Sequence, residues 1–108
     1  MCINRDFMCL DVETVIDKEL LPDDFPKGEF PPPIYHKPVC LSVLSGKKIN
    51  GAYDVSTITS VTGSEERILK HFSRMIDFNP KVITWNGRGF DLPVLTHRAY
   101  VNGIRLQG

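Results

Sequence analysis

Two carboxylates separated by a single residue, Asp11 and Glu13, close an apolar run in "FMCLDVET". Side chains alternate along a strand, so the two acids share a face. Anions one pleat apart repel each other unless positive charge sits between them. A third acid, Asp91, follows "TWNGRGF" at the start of what reads as a helix. If the fold brings it to the same place, three hard oxygen donors converge, a set that suits Mg²⁺ or Mn²⁺. Each acid also has a plainer reading: Asp91 as a helix N-cap, Asp11 and Glu13 as a solvated strand end.

The elements decide whether convergence is possible. The first strand covers the run from Phe7 and is followed by a proline-rich stretch, 14–38, that holds six of the eight prolines. Such composition excludes a helix or a central strand through most of its length, and predicts a long loop anchored by Phe25, Phe30 or Tyr35. "VCLSVLS" (39–45) alternates, with Val39, Leu41 and Val43 on one face; "GKKING" reads as a turn, and "AYDVSTI" (52–58) as the second arm of a hairpin. In "TGSEERILKHFSRMIDFNP", Ile68, Leu69, Phe72, Met75 and Ile76 form a helical stripe. Thr62 and Glu65 make a capping-box pattern with Ser64 as a competing cap, and Asn79-Pro80 ends the helix. "KVITW" (81–85) is a short strand, "NGRG" a tight turn, and 90–101 a second helix with Pro93 in its first turn and Asn102-Gly103 at its end.

The expected fold is therefore α/β with a mixed sheet: three antiparallel strands, a crossover helix, a strand parallel to the first, and a further helix. A right-handed crossover places the 81–85 strand beside the first. Asp91 is then delivered to the sheet edge where the first strand ends, the edge at which open α/β sheets bind ligands.

Composition sets limits. The 108 residues, 42% of them hydrophobic, suffice for one modest core. No apolar run has the length of a membrane span, and Arg5 and Asp6 interrupt any signal-peptide core. Cys2, Cys9 and Cys40 lack metal-finger spacing; Cys9 and Cys40 read as small buried hydrophobes, and a reducing, cytoplasmic setting fits. Thirteen basic and thirteen acidic residues balance, which argues against nucleic-acid binding through a broad basic surface. A site that handles phosphates through metal ions escapes that argument, because its positive charge is borrowed. His36, His71 and His97 lack ligand spacing and read as ordinary polar residues. Lys27, Tyr35, His36 and Lys37 could touch a nucleic-acid strand, but read first as a solvated loop.

"CLDVET" followed by "TWNGRGFDLPVL" resembles the DEDD superfamily of 3′-5′ exonucleases with an RNase H-like fold, in particular the bacterial group related to the exonuclease domain of family B DNA polymerases. Asp11 and Glu13 match its Asp-x-Glu motif; Asn86, Phe90 and Asp91 match its Asn-x-x-x-Phe-Asp motif. The resemblance implies two-metal phosphodiester hydrolysis at a single-stranded 3′ end of nucleic acid, with release of nucleoside monophosphates; DNA ranks ahead of RNA as the substrate, and the sequence itself does not choose between them. It implies that Asp11, Glu13 and Asp91 are catalytic metal ligands for Mg²⁺ or Mn²⁺, and that Val12, Thr14, Asn86 and Phe90 border the substrate. Read without the resemblance, Asn86 is a turn residue, and Phe90, like Trp85, a core ring.

The superfamily's third motif, an Asp four or five residues after a Tyr or His on a later helix, has no match in this sequence. The 108 residues accordingly read as the N-terminal part of one exonuclease domain, cut before a last strand and helix. The parent protein is expected to be the enzyme and the chain alone to be inactive or nearly so. Two other classes stay open: a catalytically silent nucleic-acid-binding module, and an interaction fragment with no site.

Overall fold

The computed structural model describes residues 6–76, 81–84 and 87–106. Four strands form one sheet in the order β3-β2-β1-β4, with β1 Phe7–Ile16, β2 His36–Ile49, β3 Ala52–Thr62 and β4 Lys81–Ile83. β1 and β2, and β2 and β3, pair antiparallel; β4 runs parallel to β1, Phe7 opposite Lys81 and Cys9 opposite Ile83. The crossover between β3 and β4 carries α1, Glu65–Ile76, and the chain continues into α2, Leu92–Val101. This is the mixed sheet the sequence implies, and its strand order and crossover helix agree with an RNase H-like topology.

Both helices pack on one face of the sheet. Met8, Leu10 and Val12 of β1 and Leu41 and Val43 of β2 are buried with Ile68, Leu69, Phe72 and Met75 of α1 and Leu95 and Ala99 of α2. The helical stripe read from the sequence is thus the core-facing side of α1, with Ile76 at its margin. Cys9, Asp11 and Glu13 alternate to the other face. Cys9 and Cys40 are therefore half-buried, not core residues, because among the described residues no helix covers that side.

Element boundaries differ from the sequence reading where bulges and caps intervene. β1 runs on to Ile16, and Thr14, Val15 and Ile16 pair with Pro38, Lys37 and His36. The register shifts after Glu13, which leaves Val39 as the unpaired bulge residue and turns its side chain outward, 38% exposed, away from the face of Leu41 and Val43. Only Asn50 and Gly51 form the hairpin turn, both at positive φ, and residues 46–49 belong to β2. A second bulge lies at Ser45/Gly46. There an added Cβ on Gly46 would run into the backbone carbonyl of Asp54, so glycine is required.

Ser64 is the cap of α1: its hydroxyl accepts the N–H of Arg67 at 3.1 Å. α2 ends as Asn102-Gly103 implies. The N–H of Gly103 reaches the carbonyl of Tyr100, that of Ile104 reaches Ala99, and Gly103 has φ +69°. The second helix starts later than expected, since residues 87–91 form a wide π-type turn ahead of Leu92. The Asn79-Pro80 stop, Trp85 and Asn86 lie outside the described residues.

Candidate active site

β1 carries Asp11 and Glu13, both exposed, past the last rung of its ladder with β4 at Cys9. The amide of Val12, between the two acids, is a donor that this ladder does not reach. It donates to the Asp91 carboxylate, Oδ2 lying 3.4 Å away in a buried contact across 79 positions of sequence. Asp91, 7% exposed, closes the π-type turn and makes no side-chain cap hydrogen bond to α2. The N-cap reading of Asp91 is thereby replaced by a tertiary one. Single π-type turns are frequent at functional sites, and the one here ends at Asp91, whose carboxylate meets the first strand.

Electrostatics link the three acids. The Glu13 carboxyl is held above its ordinary value, first by a hydrogen bond with Asp11 that only a protonated acid can make. The negative charge of Asp11 and, more weakly, that of Asp91 add to it. Asp91 is also raised, chiefly by burial, opposed by the Val12 N–H and reinforced by Asp11. Folding has crowded acids into one place and left them short of positive charge. The donors are all oxygen and acceptor-only when ionised, which fits a hard divalent cation in chemistry. Among the described residues, however, no three His, Cys, Asp or Glu side chains close on one point as a ready-made cage.

Around the acids sits a cluster that sequence reasoning missed. His36 is buried, 3% exposed, and both ring nitrogens are engaged. Nε2–H donates to the Pro31 carbonyl at 2.9 Å, so Nδ1 accepts from the Thr14 hydroxyl at 2.8 Å. Its ring meets Phe90 edge-on at 4.8 Å. One imidazole thus ties together the residue after Glu13, the residue before Asp91 and the proline-rich loop. Thr14 is committed to His36, Phe90 is half-buried against the core, and Val12 contributes its amide while its side chain is buried. The bulge that turns His36 inward has no signature in hydrophobic alternation.

A second missed group lies at the far side of β1. Arg98, 6% exposed, reaches Asp17 at 3.2 Å through Nη1 and grips the Glu65 carboxylate with Nε and Nη2. The guanidinium is held above its ordinary value, first by the Glu65 hydrogen bonds. A signal existed: Val94, Leu95, Arg98 and Ala99 share one helical stripe, and a cation on an apolar stripe needs a buried partner.

A family profile described as "Predicted 3'-5' exonuclease related to the exonuclease domain of PolB" matches residues 28–107. The chain belongs to this exonuclease family. Its curated relatives include the DNA polymerases of Pyrococcus glycovorans, 33% identical over 101 residues, and of Pyrococcus horikoshii, 33% identical over 102. These alignments take in 92% and 93% of the chain, an extent that necessarily includes positions 11, 13 and 91. The chain spans only 12% and 8% of the two polymerases' lengths. The span of the family profile takes in residues 86–91.

Proposed function

We propose that the chain is the N-terminal part of a metal-dependent 3′-5′ exonuclease domain that hydrolyses phosphodiester bonds at single-stranded 3′ ends of nucleic acid, DNA rather than RNA, releasing nucleoside monophosphates. The observation that carries this reading is the Asp91 carboxylate on the Val12 amide, which joins the two motifs at one sheet edge. Family membership agrees with it.

In this reading Asp11, Glu13 and Asp91 hold Mg²⁺ or Mn²⁺, which supplies charge stabilisation and an activated water to the reaction. Asp11 and Glu13 present their oxygens on the open face of the sheet, toward solvent and substrate. Asp91 stays fixed by the Val12 N–H and anchors the inner side of the site. Glu13 and Asp91 are held above their ordinary values and must be ionised to bind a cation, so affinity should rise with pH. Phe90 and Thr14 border the site through His36, and Val12 holds Asp91. The role of Asn86, contact with the substrate, is what the resemblance of residues 86–91 to the family motif implies.

Paramagnetic Mn²⁺ tests the site directly. It should broaden the NMR signals of residues 10–14 and 89–92 together and spare α1, and Asp11→Asn should weaken the effect. Broadening confined to one of the two segments would refute a shared site.

A further inference from the structure

Phe30 is 73% exposed, yet its ring is not loose: it lies 5.0 Å from the His36 ring and 5.6 Å from the Phe90 ring, tilted against both. Three features hold it there. The following residues, Pro31-Pro32-Pro33, stiffen the backbone. The Pro31 carbonyl is bound by His36, itself buried and tied to Thr14. The N–H of Tyr35 closes on the Pro32 carbonyl in a 3₁₀ turn, Pro33–Tyr35. An aromatic ring left mostly in water while its support is buried is poorly explained by core packing. It connects to β1 through the His36–Thr14 hydrogen bond and, through its contact with Phe90, stands one residue from Asp91.

We propose that Phe30 is a stacking platform for a nucleobase at the strand end presented to the carboxylates. The proposal rests on the exonuclease reading above and deepens it. Stacking on an exposed ring requires an unpaired base, so the platform selects single-stranded or frayed ends over fully paired ones. Every base offers a π-face, so it does so with little sequence preference. Because the ring is held in place before any ligand arrives, little ordering entropy opposes binding. The chain carries no net charge, so a stacking contact also supplies affinity that a basic surface would otherwise provide.

The test uses a short single strand carrying 2-aminopurine at its 3′ end, with Ca²⁺ in place of Mg²⁺ to slow cleavage. The chain should quench the 3′ fluorophore. Phe30→Ala should weaken binding about 5- to 150-fold, the range for one lost stacked base, and abolish the quench. Phe30→Trp should restore both, and a blunt duplex should compete poorly. Equal binding by Phe30→Ala, or a duplex bound as well as the single strand, overturns the proposal. Because the side chain is exposed, Phe30→Ala should fold normally, which circular dichroism checks. If Mn²⁺ broadens residues 10–14 and 89–92 but no strand quench occurs, the stacking proposal fails and the carboxylate site stands. A Phe30-dependent quench without that broadening leaves the platform and removes the metal reading.

Discussion

At the scale of single residues, the acids explain each other. Glu13 and Asp91 retain protons in the folded, metal-free chain at pH values where the unfolded chain has released them. The folded state therefore binds more protons, and this site's contribution to stability falls as pH rises above the ordinary carboxylate range, around pH 4. In EDTA, wild type should lose more thermal stability between pH 4.5 and 7.5 than Glu13→Gln or Asp91→Asn. Mg²⁺ should offset that loss at the upper end. Identical pH slopes for wild type and both variants would mean that the carboxyls do not crowd. The approach of Asp91 to the strand that carries Asp11 and Glu13 was legible in the sequence, because pleat parity and the crossover both point to that sheet edge. Thr14's engagement with His36 was not, since it depends on the Val39 bulge two strands' length away in the chain.

At the scale of elements, periodicity identified the strands and helices, and their ends were set by contacts that periodicity does not encode. β2 looked short because a polar Gly-Lys-Lys stretch read as a turn, whereas its pairing with residues 52–55 keeps it in the sheet. α1 begins where Ser64 caps it and where Glu65 meets Arg98. Ser64→Ala should cost about 1 kcal/mol in urea unfolding. Arg98→Leu should cost more, about 3–5 kcal/mol, because it strands the buried Asp17 carboxylate and the half-buried Glu65 carboxylate between β1, α1 and α2. Replacing all three by apolar residues of similar size should recover much of that loss. If Arg98→Leu alone were as mild as the cap variant, the triad would contribute little to holding α2 against β1.

At the scale of the molecule, the described residues bury one sheet face under two helices and leave the other open. The long β2–β3 hairpin draws the molecule out to 53 × 27 × 22 Å. The open face carries Cys9, Leu44 and Ile58 beside Asp11, with Ile58 75% exposed. The same face bears Asp11 and Glu13, so substrate can reach them. Catalysis is a further demand. The three acids do not close into a cage among the described residues, and the 108-residue sequence holds no Tyr- or His-spaced fourth Asp of the superfamily's third motif. General-base help of the kind such a residue gives is worth roughly 10²–10⁴ in rate. Two cations sharing one carboxylate cluster also need more ligands than three side chains supply. The 108 residues alone should therefore bind Mn²⁺ weakly and show no more than residual nuclease activity on a 3′-labelled single strand. A longer chain that supplies the third motif should release mononucleotides steadily and lose that activity in Asp11→Ala or Asp91→Ala. Steady release by the 108 residues would place the water-activating group within this chain.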